Sequence, residues 1–114
     1  MKRLGVLIFT ILLSSVVMAG FIGSDTLPDV HDPTIAYRTQ ITIDSIASGQ
    51  FPPAWHNTLN YGYGYPLNLY YAPLITYLTA IATSLVGNVV IGVKLTLWCI
   101  TLFGILGVYK LVIK

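Results

Sequence analysis

The residues of this chain that could act on a bound molecule are concentrated in its middle. All four carboxylates, Asp25, Asp29, Asp32 and Asp44, lie between positions 25 and 44, and no glutamate occurs. Asp32-Pro33 reads as a helix start, because aspartate is a favoured N-cap and proline suits the first helical position. A carboxylate held at a helix N-terminus stays ionised and can accept a proton or bind a cation. The capping role alone would also account for Asp32, while Asp25 and Asp29 read as solvated loop acids. On a helix from Pro33, Arg38 would lie roughly 9 Å along the axis from Asp32. That is too far for direct pairing. Further on, Tyr61, Tyr63 and Tyr65 alternate with Gly62 and Gly64. Flat rings with a polar edge stack on sugars and sit at membrane interfaces equally well. His31 and His56 are too few for a zinc site. There is no phosphate-cradling glycine loop, no Gly-x-Ser-x-Gly elbow and no His-Glu-x-x-His. The single cysteine, Cys99, excludes an internal disulfide.

These residues must be positioned by a chain of unusual composition. Of 114 residues, 55% are hydrophobic and 9% are charged, against about a quarter charged in an ordinary soluble domain. That excludes a water-soluble enzyme and a disordered segment. A net charge of +2, scattered along the chain, excludes a nucleic-acid-binding surface. Residues 4–24 and 45–93 carry no charge. Three apolar runs, 4–22, 67–86 and 89–109, are expected to be transmembrane helices. Pro73 is expected in the first turns of the second, and Gly87-Asn88 as the turn before the third. Lys94 reads as a lysine snorkelling to the headgroups, with a role at a substrate phosphate as the alternative.

Lys2 and Arg3 place the N-terminus in the cytoplasm, so three crossings put residues 24–66 and the C-terminus outside. Lys110 and Lys114 then lie outside, against the usual bias. A basic start, an apolar stretch and Val17-Met18-Ala19 also fit a cleavable signal peptide, although two later spans make cleavage unnecessary. Within the external loop a short helix is expected on the membrane surface, with Gly49 as its C-terminal cap and Ile35, Thr39, Thr42 and Ile46 on one face. The run 39–44 alternates as a strand would, and the helix is preferred. The fold class is therefore an all-α integral membrane protein of three transmembrane helices, with one long external loop containing a short surface helix. The chain's end directly after a span reads as that of a piece of a longer protein.

The order of features is a basic start, one span, an acidic turn leading to Arg38, then Ser48-Gly49-Gln50-Phe51-Pro52-Pro53-Ala54-Trp55. After it come Tyr61-Gly62-Tyr63-Gly64-Tyr65-Pro66, Tyr70-Tyr71-Ala72-Pro73-Leu74 and two spans. This resembles the N-terminal part of multi-pass membrane glycosyltransferases of the GT-C type. It is most similar to the group labelled 6-pyruvoyl-tetrahydropterin-synthase-related membrane proteins. The resemblance covers nearly the whole chain, and the Gly-Gln-Phe-Pro-Pro-x-Trp and Gly-Tyr-Gly-Tyr-Pro stretches are its most specific parts.

The resemblance implies a polyprenyl-phosphate-linked sugar as donor and an acidic residue of the first external loop as general base or metal-associated group, best matched by position by Asp32. It also implies Arg38, with Tyr61, Tyr63 and Tyr65, on the substrate. Such relatives often carry a histidine three residues before the arginine. Ile35 stands there instead, and the acidic turn is one residue shorter. Asp29 therefore stays open beside Asp32, and a divalent metal is possible but not specified. The expected partners are membrane lipid, the lipid-linked sugar and the remaining helices of a longer chain, with no nucleic acid. The expected location is the cell membrane. From the residues alone, a small non-catalytic membrane subunit or scaffold stays open as the alternative. A transporter component is weaker, for want of the buried charges of an ion path.

Overall fold

The computed structural model describes residues 2–24, 27 and 34–112. Among them the chain is all-helical, with five α-helices and no strand: α1 Lys2–Ile22, α2 Thr34–Ala47, α3 Leu67–Tyr70, α4 Pro73–Val86 and α5 Val89–Val112. A short 3-10 turn covers Asn60–Gly62. The chain divides into two compact units, residues 1–28 with 94–114, and residues 29–93.

In the first unit the pattern of a soluble core is inverted. On α1 the polar Thr10 and Ser14 are buried, while Phe9, Leu12, Val16 and Val17 are exposed. Each buried hydroxyl donates back to its own helix, Thr10 to the carbonyl of Val6 at 2.8 Å and Ser14 to that of Ile11 at 2.9 Å. A hydroxyl satisfied in this way needs no water. α5 is the one helix among the described residues long and apolar enough to cross a membrane, with mean hydropathy 2.2. Little of it is buried, unlike the core helix of a soluble protein. Ile8–Phe21 and Pro73–Val86 are shorter apolar helices.

The second expected span, 67–86, is not one helix. Tyr71 is extended (φ −113°, ψ 143°) and separates α3 from the fourteen-residue α4. Pro73 is the reason. Its ring lacks an N–H and would meet the carbonyl four residues back, and it disfavours helical backbone at Ala72. Pro73 therefore opens α4 instead of sitting inside a longer helix.

The expected local signals at 49 and 87–88 are present. α2 ends in a Schellman motif: Gly49, at φ +89°, donates its N–H to Ile46, and Gln50 donates to Ser45. α4 ends on left-handed Gly87, whose N–H reaches the carbonyl of Thr83. The side chain of Asn88 accepts from the N–H of Ile91 at 3.1 Å and so caps α5.

The second unit is held together by α2 lying on α4. The seam is polar and small. Thr39 and Thr42 of α2 are buried, as are Thr76, Thr79, Ala80 and Thr83 of α4. The hydroxyls of Thr39 and Thr79 meet at 2.7 Å. Thr39 is also within reach of the carbonyl of Ile35, and Thr79 of that of Thr76. Two hydroxyl protons thus serve three contacts, and either hydroxyl can be the donor between them. Of the face expected on this helix, Thr39 and Thr42 are buried and Ile46 is exposed. Ile46 instead lines an apolar groove of 720 Å³ with Ile43, Phe51, Tyr77, Ile81 and Leu85.

Candidate functional site

The segment between α2 and α3 is a closed loop. His56 and Tyr65 exchange both backbone hydrogen bonds at 3.1 Å. Within it Asn60 and Tyr61 are left-handed (φ 55° and 56°), and Gly62 and Gly64 have φ +91° and +82°. Such backbone favours glycine. At Gly64 there is a second reason, since a Cβ there would run into the indole ring of Trp55. The glycine–tyrosine alternation is thus accounted for on the glycine side by the turn itself. Asn68 ties α3 to this loop by donating to the carbonyl of Pro53 at 2.8 Å.

A cleft of 460 Å³ opens between the first turns of α2, this loop and α3, within the usual size range of ligand sites, about 300–1,000 Å³. Its walls are Thr34, Tyr37 and Arg38 from α2, Leu59, Asn60 and Tyr65 from the loop, and Leu67 and Tyr71 at α3. The Arg38 guanidinium lies over the ring of Tyr71, 3.9 Å from its centroid. That geometry is a cation–π stack, which holds the planar group in one orientation. The ring of Tyr65 lies 5.9 Å from that of Tyr70. A fixed guanidinium among tyrosine rings and a carboxamide can hold an anionic group beside a ring with hydroxyls.

Of the site residues expected from the sequence, Arg38 and Tyr65 meet in this cleft. Tyr61 and Tyr63 do not line it: they are 100% and 82% exposed, because the left-handed turn carries them outward. Asp32 lies outside the described residues, as do Asp25, Asp29 and His31, and with them the question of a metal. Among the described residues no three of His, Cys, Asp and Glu come together. Sequence reasoning did not single out Tyr37, Asn60 or Tyr71 for this site. Tyr37 had the signal of adjoining Arg38. Tyr71 had none, since only the fold brings it to an arginine thirty-three positions earlier.

His56 is buried, 2% exposed. Ser45 donates to the carbonyl of Ile41 at 2.8 Å, so its oxygen accepts from the His56 Nδ1–H at 3.0 Å. Nε2 is then a buried lone pair with no hydrogen-bond partner among the described residues. Burial lowers the pKa of His56 below 6.5, because protonation would bury an N–H with no acceptor. The sign follows. An opened loop binds the proton more readily than the closed one, so loop stability is full above pH 6.5 and falls as pH drops below it. Hydrogen exchange of the His56 and Tyr65 amides is expected to hold steady above that pH and to accelerate below it, relative to the intrinsic rate. Protection unchanged from pH 7.5 to pH 5 would refute this.

No family model, curated protein or solved structure matches this chain.

Proposed function

We propose that this chain is the N-terminal portion of a multi-pass membrane glycosyltransferase that uses a polyprenyl-phosphate-linked sugar, in cell-envelope glycan or protein glycosylation. The observation that carries this reading is the Arg38–Tyr71 stack in a tyrosine-walled cleft. Polar groups turned inward and apolar groups outward on α1, and the apolar length of α5, support a membrane location. The motif order set out from the sequence supports the reaction class.

In this reading Arg38 faces the donor phosphate, and the rings of Tyr37 and Tyr65 with the amide of Asn60 face the sugar. An acceptor hydroxyl attacks the anomeric carbon. The new carbon–oxygen bond forms as the bond from that carbon to the phosphate oxygen breaks, and the hydroxyl proton passes to Asp32. Polyprenyl phosphate leaves with its added charge against the guanidinium, an interaction stronger in the transition state than before it.

Binding tests the cleft. Farnesyl-phosphate-glucose titrated into the detergent-solubilised chain, followed by intrinsic fluorescence, is expected to saturate. Arg38→Gln is expected to weaken it about 10–100-fold, the equivalent of about 1.5–3 kcal/mol for a charged hydrogen bond. Tyr61→Ala, outside the cleft, is expected to leave it unchanged. No saturable binding by the parent chain would favour the non-catalytic membrane subunit instead.

A further inference from the structure

We infer that His56 is the positioning residue of the Arg38–Tyr71 cleft: it fastens the loop wall to the α2 wall, so that taking up a proton at His56 opens the cleft and releases what is bound there. The inference rests on the reading of this cleft as a ligand site, and adds the group that closes it and the condition that opens it.

The backbone of His56 holds the loop wall. Its carbonyl accepts from the N–H of Leu59 at 3.3 Å and from that of Tyr65 at 3.1 Å, and its own N–H donates to the carbonyl of Tyr65 at 3.1 Å. Leu59 and Tyr65 are two of the three loop residues that line the cleft, and Asn60 is the third. The carbonyl of Leu59 accepts in turn from Gly62 and Gly64. The turn that carries Asn60 is therefore hung on His56.

The imidazole holds that loop to α2. Nδ1 meets the Ser45 hydroxyl at 3.0 Å. Ser45 follows Arg38 by two turns of α2, about 10 Å along the axis and on the same face. One side chain thus joins two walls that come from separate stretches of chain.

In the closed loop the ring has no place for a second proton. Nδ1–H is given to Ser45, and Nε2 is buried without a hydrogen-bond partner among the described residues. A protonated ring would bury a charge and an N–H with no acceptor, whereas an opened loop puts both in water. Among the described residues, the charged groups on the elements around it are Arg38 and Asp44 of α2. Arg38 lies on Tyr71, and Asp44 accepts from Gln40 at 2.9 Å. The phenols there are Tyr37, Tyr65, Tyr70, Tyr71 and Tyr77. Burial is the cause of the lowered pKa of His56, so no neighbouring carboxylate offsets the second proton. Only the closed loop presents Leu59, Asn60 and Tyr65 together, so ligand and proton compete, each lowering the affinity for the other.

Two measurements on the detergent-solubilised chain test this. In a Cys99→Ser background, spin labels at Gln40→Cys and Thr58→Cys report on α2 and the loop from exposed positions outside the cleft. Their separation is expected to be narrowly distributed at pH 7.5 and to broaden or lengthen at pH 5. In His56→Asn, whose amide can still donate to Ser45 but does not titrate, it is expected to be the same at both. The dissociation constant for farnesyl-phosphate-glucose, a phosphodiester that keeps one charge over this range, is expected to rise about 3–30-fold from pH 7.5 to pH 5. The upper bound is about tenfold per pH unit below 6.5, the limit for one proton. In His56→Asn it is expected to change less than about twofold. Ser45→Ala, outside the cleft and compatible with a helix, is expected to broaden the separation already at pH 7.5 and to weaken binding about 3–10-fold, as for one lost hydrogen bond. A parent separation unchanged with pH, a pH effect that persists in His56→Asn, or a Ser45→Ala chain like the parent overturns the role of His56 and leaves the cleft as a ligand site. Label movement in the parent without saturable binding at pH 7.5 overturns the cleft as a ligand site and supports His56 as the fastening of the loop.

Discussion

Asp32→Asn is expected to lower transfer activity by about 10²–10⁴-fold, the usual contribution of a general base. The measurement is single-turnover transfer from a polyprenyl-phosphate sugar by the full-length enzyme that the resemblance implies. The exchange is chosen because asparagine caps a helix about as well as aspartate but cannot take a proton. A loss of rate with unchanged melting therefore separates chemistry from capping. α2 is helical from Thr34 onward. Activity within a few-fold of the parent would leave Asp32 with the cap alone and move the test to Asp29. Arg38→Gln in the same assay is expected to act on donor binding as well as on rate, since phosphate is present in both the ground and transition states.

Gly92→Leu is expected to disrupt the junction of α4 and α5, and Gly92→Ala to cost about 1–3 kcal/mol, the usual range for overpacking. A Cβ at position 92 would lie 2.7 Å from both the backbone nitrogen and the Cα of Thr83, and against its hydroxyl. The hydroxyl can turn away, but backbone cannot move without shifting α4, and α4 carries the threonine seam with α2. Gly104→Ala is the matched control. It lies in the same helix with nothing within 4 Å of the added carbon, and is expected to be neutral or stabilising by up to about 1 kcal/mol. Thermal melting in detergent by circular dichroism compares them. Equal midpoints for Gly92→Ala and Gly104→Ala would show that the close approach carries no load.

What the amino-acid order determined by itself is what acts within a turn or two of chain. The cap at Gly49, the turn at Gly87-Asn88, the helix preferred over a strand at 39–44 and the apolar run that became α5 are all of this kind. Each depends on backbone sterics, a local donor or a hydrophobic average, and none needs a partner from elsewhere. Pro73 is legible too, but its ring and missing N–H start a new helix where the apolar run alone predicts a longer one.

Tertiary structure decided which groups meet. Tyr61, Tyr63 and Tyr65 are equivalent as text, but Gly62 and Gly64 in left-handed backbone turn the first two outward and leave the third in the cleft. Arg38 finds Tyr71, and Thr39 finds Thr79, because α2 lies on α4. Lys94 finds Ser24, a pairing that no spacing rule contains. The physical reason is common to all three. A side chain's chemistry is local, but its partner is set by how helices pack, and packing selects among contacts far apart in sequence only when whole faces fit together.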